Sequence, residues 1–200
     1  MFGKRRVEIW SRKDKTMEAF ILETEQLLLR EMTTNDFQAW YQILSDQETM
    51  QYYPKAFDQD QTRSWIQWNL DNYKKYGFGL WAVILKDTNC FIGDCGITMQ
   101  NIHHDGNLFP EIGYHINKKY WRNGFATQAA KACLKYGFEN KNFDEIFSYQ
   151  KWTNVPSRKV AEKMGMTLRE EYADEKNIMT SVYSITKAEY YSQIHCQTLT

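Results

Sequence analysis

The chain lacks any apolar run approaching the roughly 18–20 residues that cross a bilayer, and no secretory pattern opens it. No membrane-spanning helix is therefore expected in this sequence, and the expected compartment is the cytoplasm. Proline is scarce, three residues in 200, and no Pro/Gly-rich linker, repeat or low-complexity tract divides the sequence. One domain is therefore expected. Cysteine is sparse as well. Cys90, Cys95, Cys133 and Cys196 form no CxxC pair and no His/Cys spacing suited to zinc. They read as reduced thiols, packed mostly as small apolar groups. A net charge is missing too, with 25 basic against 25 acidic residues, so no global field directs the chain to nucleic acid or a membrane.

What is present is a core. Apolar residues make up 42% and aromatics 16%, enough for one domain of this length. The charge is unevenly spread: Lys4, Arg5, Arg6, Arg12, Lys13 and Lys15 face only Glu8 and Asp14 in residues 1–16, a local excess of +4. Residues 1–20 are expected to be a basic leader, flexible or non-native, with Met17 as a candidate start. A contact of this leader with RNA or an acidic partner is the competing reading. The domain is expected over 21–192, and 193–200 as a tail.

Leu27 to Met32 reads as a short apolar strand. Thr34-Asn35-Asp36 supplies capping groups for a helix to about Leu44, with Phe37, Trp40, Tyr41 and Leu44 at helical spacing. A second helix runs from Asp60 toward Tyr76 and ends at Gly77 and Gly79. Strands follow at about Trp81–Lys86 and Phe91–Gln100, turning at Asp87-Thr88-Asn89. After the polar turn His103-His104-Asp105-Gly106-Asn107, where diverging side chains argue against a metal, comes a strand over Glu111–Ile116. A helix over Gln128–Phe138, a strand over Ile146–Trp152, a helix opened by Pro156 and ending near Gly165, and a hairpin over Thr167–Ile185 complete the chain. This order predicts an α/β (α+β) mixed sheet with helices on both faces.

Between the Glu111–Ile116 strand and the third helix lies Tyr120-Trp121-Arg122-Asn123-Gly124-Phe125-Ala126-Thr127. A strand leading through a glycine turn into a helix presents unpaired N–H groups and partial positive charge, which suit a phosphate. Gly124 lets a pyrophosphate approach closely, Ala126 stays small and Thr127 offers a hydroxyl. An ordinary tight turn has the same pattern, so this segment alone does not decide.

Four blocks in order give the chain a resemblance over about 170 residues: Leu22 to Arg30, Gly79 to Ile97, Glu111 to Thr127, and Asn154 to Met166. It resembles the GNAT N-acetyltransferases, in the branch of the ribosomal-protein N-acetyltransferases. The resemblance implies the GNAT fold, a central, mostly antiparallel sheet with helices on both faces, and acetyl-CoA as co-substrate, without a metal. It also implies a cradle for the coenzyme A pyrophosphate over Trp121, Arg122, Asn123, Gly124, Phe125, Ala126 and Thr127. Trp121 stands where the motif commonly starts with Arg or Gln, a departure frequent in this branch. The sheet should splay beside the Glu111–Ile116 strand, with a backbone N–H near Ile116 bonding the thioester carbonyl. One such donor is typically worth about 3–4 kcal/mol in the transition state.

The acceptor amine needs a base. Glu111 is the leading candidate, since family members often place an acidic residue there; Glu170, Glu171, Asp174 and His115 are rivals. Pairing or capping a strand edge is the alternative role for Glu111. Asn154 would touch the pantetheine arm and Ser157 would protonate the departing thiolate, although both could equally cap the helix at Pro156. The tyrosine many relatives use as the acid would fall at Ala161, so Ser157, a water or another tyrosine must replace it. Trp40, Tyr52, Tyr53 and Trp81, with Trp65 and Trp68, are candidates for the acceptor groove, and an aromatic stripe of this kind can instead be core. The expected activity is acetyl transfer to a primary amine, a protein α-amine (possibly ribosomal in origin) or a small molecule, by a monomer or homodimer. A non-catalytic acyl-CoA-binding regulator and a ribosome- or RNA-associated protein are the alternatives.

Overall fold

A computed structural model describes residues 20–175 and 177–197. The basic segment 1–19 lies outside the described residues, as does Lys176. The chain opens with a hairpin, β1 (Phe20–Glu23) and β2 (Leu27–Arg30). The strand expected over Leu27–Met32 is β2 and stops at Arg30; β1 precedes it, and between them Thr24 Oγ1 accepts from Leu27 N at 2.9 Å and turns the chain. A 3-10 turn (Thr34–Asp36) leads into α1 (Phe37–Leu44), and α2 spans Gln59–Tyr76. Asp58 caps α2, accepting from Gln61 N, and Gly77 ends it in the left-handed region at φ 70°.

The rest follows the expected order: β3 (Leu80–Leu85), β4 (Cys90–Gln100), β5 (Phe109–Ile116), α3 (Phe125–Asn140), β6 (Glu145–Lys151), α4 (Val155–Lys163), β7 (Thr167–Asp174) and β8 (Ile178–Thr186). A further helix, α5 (Lys187–Gln197), was not expected, and it crosses the boundary drawn at 193. Tyr190 of α5 packs against Phe138 of α3, the rings tilted with centroids 4.8 Å apart. No described helix is long and apolar enough to cross a membrane.

The eight strands form one sheet in the order β1-β2-β3-β4-β5-β6-β8-β7. Alternation along the strands sends side chains to opposite faces. Leu27, Leu29, Trp81 and Val83 pack toward α3 and α4, while Leu28, Leu80, Ala82 and Ile84 pack against α1 and α2. Two cores thus sandwich the sheet, and each fully buried Leu or Ile contributes on the order of 1.5–3 kcal/mol. Cys95 and Cys133 lie in the first core as thiols, Sγ to Sγ 3.7 Å.

Every strand pairing is antiparallel except β5 with β6. That parallel pairing consists of one registered pair, Glu111 opposite Phe147. Beyond it the two strands diverge toward their C-terminal ends, and the sheet opens.

Candidate active site

The opening between β5 and β6 is a cleft of about 860 Å³. Its floor is β5 from Glu111 to Ile116 and β6 from Ser148 to Lys151. One end reaches the turn before α3 and the start of α4; the other reaches the loop between α1 and α2.

At the first end, Arg122 and Gly124 both take positive φ, 64° and 80°, and turn the chain into α3. The first intrahelical bond is from Gln128 N to Gly124 O, so the N–H groups of Phe125, Ala126 and Thr127 precede the helical ladder. Among the described residues no side chain caps this N-terminus. A Cβ built on Gly124 would meet no atom within 4 Å. The glycine thus keeps open a space that the protein itself does not fill, beside a positive helix end. Arg122, Lys151, Lys159 and Lys163 line the cleft, and among the described residues none of them forms an ion pair. The set suits a polyanion. Asn123 does not line the cleft; its amide braces the turn by donating to the carbonyls of Tyr120 and Trp121. Trp121 lines the cleft, and its indole N–H donates to Ile116 O at 2.7 Å.

The middle of the cleft holds the polar groups. Asn117 N donates to Ile92 O and His115 N to Asp94 Oδ1, both on the β4 side. Alternation along β5 turns the N–H groups of Tyr114 and Ile116 the other way, into the gap past the last paired residue. Glu111 is 8% exposed, and its Oε2 accepts from Thr98 Oγ1 at 3.0 Å. Burial pushes its carboxyl up to about 8, the negative charge of Asp94 adds to this, and the Thr98 bond opposes it. The carboxyl leans over Gly113, where a Cβ would lie 3.3 Å from Oε2, so the missing side chain leaves room beside it.

Across the cleft, Asn154 caps α4, accepting from Ser157 N at 3.2 Å. Ser157 Oγ donates to Gln150 Oε1 at 3.3 Å and lies 2.8 Å from the Tyr114 hydroxyl, which is thereby left as the donor. Burial pushes the Tyr114 phenol well above its usual range, so it stays protonated.

The far end is aromatic. Tyr52, Tyr53, Trp65 and Trp68 line it. The Tyr53 hydroxyl is 2.6 Å from His115 Nε2, and His115 Nδ1 is 3.0 Å from Asp94 Oδ1. Two of the aromatic candidates are elsewhere. Trp40 is completely buried and Trp81 is 1% exposed, both in the cores, because helical and strand periodicity turn them inward. The rival acids are engaged outside the cleft: Glu170 holds His103 at 2.6 Å, Glu171 accepts from Ser181 Oγ at 2.5 Å, and Asp174 accepts from Asn177 N at 2.6 Å.

Asp94, Thr98, Tyr114 and Gln150 join the site without having stood out in the sequence. Asp94 had a signal, a lone carboxylate inside the apolar run Phe91–Ile97. The others are common strand residues whose meeting depends on the splay.

A family model for the acetyltransferase (GNAT) domain matches residues 26–167. Among relatives, YkkB of Bacillus subtilis, an uncharacterized protein, is 40% identical over 146 residues, 72% of this chain and 84% of its own length. The uncharacterized N-acetyltransferase p20 of Bacillus licheniformis is 31% identical over 176 residues, 84% of this chain and 97% of p20. A solved GNAT-family acetyltransferase from Bacillus anthracis superposes with a TM-score of 0.72 at 28% identity, covering 83% of this chain and 98% of that one. RimL, a ribosomal L7/L12 α-N-protein acetyltransferase solved with coenzyme A, shares the fold at 16% identity, with a TM-score of 0.70 over 84% of this chain and 97% of RimL. The family match covers well over half the sequence and includes every residue from the α3 turn to Ser157, so the chain belongs to the GNAT family of acetyltransferases.

Proposed function

We propose that the protein transfers the acetyl group of acetyl-CoA directly to a primary amine. The observation that carries this reading is the single β5–β6 pair at Glu111 and Phe147, which opens one continuous cleft from the Gly124 turn to a buried carboxyl. The open space at Gly124, the helix end and the unpaired cations fit the pyrophosphate and phosphate of acetyl-CoA, and RimL, of like fold, was solved with coenzyme A. Acetyl-CoA would supply the activated thioester; every other part of the reaction falls to this chain.

The N–H groups of Ile116 and Tyr114 point into the gap, where they can hold a carbonyl oxygen and the negative charge that grows on it. Glu111, with its carboxyl near 8, takes the proton that the ammonium must lose before attack. Its neighbour Gly113 leaves room for the amine. Ser157, held between Tyr114 and Gln150, stands at the start of α4 to hand a proton to the leaving thiolate, with Tyr114 resupplying it. Asn154 holds α4 in place and faces the same cleft. The hydrogen-bonded Asp94–His115–Tyr53 chain orients the acceptor end.

Calorimetry with acetyl-CoA tests the cradle, with Gly124→Trp as the variant that fills the space. Micromolar binding lost in the variant is expected, together with amine-dependent release of free thiol by the wild type. Equal binding by both proteins would place the co-substrate elsewhere and end this reading.

A further inference from the structure

The acceptor end of the cleft differs sharply in charge from the other end. Among the described residues Glu111 is the one carboxylate lining the cleft, against the cations Arg122, Lys151, Lys159 and Lys163. The acids of the loop between α1 and α2 and of the start of α2 are already occupied. Asp46 and Glu48 hold Lys118 at 2.7 and 3.1 Å, Asp58 caps α2, and Asp60 holds Arg63 at 2.8 Å. A polyamine or aminoglycoside would bring several ammonium groups and find one partner. The others would lose water without gaining a counter-charge.

What the acceptor end offers instead is flat apolar surface. Trp65 and Trp68 lie tilted against each other, centroids 5.1 Å apart, and both line the cleft. Trp65 also meets the edge of His115 at 5.6 Å, and the Tyr53 ring is fixed there by its hydroxyl bond to the same imidazole. Rings held in this way desolvate a flat group with little loss of their own freedom, and their faces favour a nearby ammonium. Thr49, Gln51 and Gln100 add only neutral polarity at the rim.

Resting on the acetyltransferase reading above, we infer that the acceptor is a primary amine with a single positive charge next to an aromatic or flat apolar group. Such an amine can be a free arylalkylamine or the first residue of a peptide. Its ammonium goes to Glu111 over Gly113, and its ring lies against Trp65, Trp68 and Tyr53.

The test compares initial rates of the full chain with acetyl-CoA and five acceptors: 2-phenylethylamine, ethylamine, spermidine, and peptides beginning with Phe or Ser. The expected kcat/KM for phenylethylamine, the Phe peptide or both exceeds that for ethylamine and spermidine at least tenfold. Which of the two leads identifies the source of the amine. Trp68→Ala, checked for an unchanged melting curve, should remove most of that advantage while acetyl-CoA affinity stays within twofold. Preference for spermidine, equal rates for aromatic and aliphatic amines, or an advantage untouched by Trp68→Ala would overturn the inference. Acetyl-CoA binding without transfer to any of the five would overturn it too and leave the cradle standing. Absent acetyl-CoA binding would remove the parent reading, and this one with it.

Discussion

The Tyr114 hydroxyl of β5 lies 2.8 Å from Ser157 Oγ at the start of α4, a side-chain tie across the same opening where backbone pairing stops. The two groups share one proton path, so removing either should cost about as much as removing both. Tyr114→Phe and Ser157→Ala are each expected to lower kcat about tenfold or more, consistent with loss of general-acid help. The double variant should fall little further, a strong positive coupling in the cycle. Acetyl-CoA affinity serves as the control; a drop there equal to the drop in kcat would assign the pair to binding.

Glu111→Gln should reduce turnover by on the order of a hundredfold at alkaline pH. Because the wild-type carboxyl sits near 8, the base is mostly protonated at pH 6 and ionised at pH 9. The ratio of wild-type to variant rates should therefore climb with pH and level off above about 8, which cancels the titration of the amine itself. A ratio that is flat with pH removes Glu111 from the proton path.

The same carboxyl affects folding with a definite sign. Its folded value is raised from the usual 4.5, so between about 4.5 and 8 the folded chain holds a proton that the unfolded chain has lost. Wild-type stability should decline relative to Glu111→Gln across that window, by at most ~1.4 kcal/mol per pH unit. Urea midpoints at pH 5, 6.5 and 8 measure it, and parallel curves for the two proteins would contradict the assignment.

Tyr53→Phe removes the bond to His115 and keeps the ring. A neutral hydrogen bond contributes about 0.5–1.5 kcal/mol, so KM for the amine should rise roughly twofold to tenfold. Acetyl-CoA affinity should not move, since Tyr53 lies at the opposite end of the cleft. An effect on acetyl-CoA alone would reassign this residue.

Much of this was legible in the chain because it depends on local chemistry. The Gly124 turn, the Gly77 stop and the Asn154 start of α4 are each dictated by a few neighbouring residues, and the order of strands followed from alternation. Trp40 and Trp81 show where local reading fails: an aromatic side chain has the same pattern whether it faces a cleft or a core. The α5 helix carries a weak pattern, and its place depends on Tyr190 meeting Phe138 from 52 residues away. Tyr114 acquires its partner only because β5 and β6 part, an event no single segment encodes.

That parting also divides β5 into two kinds of amide. Gly113 and His115 send their N–H groups to β4, whereas Tyr114 and Ile116 send theirs into the opening. In deuterated water the strand should therefore exchange in an alternating pattern, slow at one residue and fast at the next, although all four amides belong to one element. A molecule lying in the cleft and accepting from those N–H groups would erase the alternation by slowing the fast set alone. In that state the sheet would be continuous from β1 to β7, with the ligand taking the place of a missing strand.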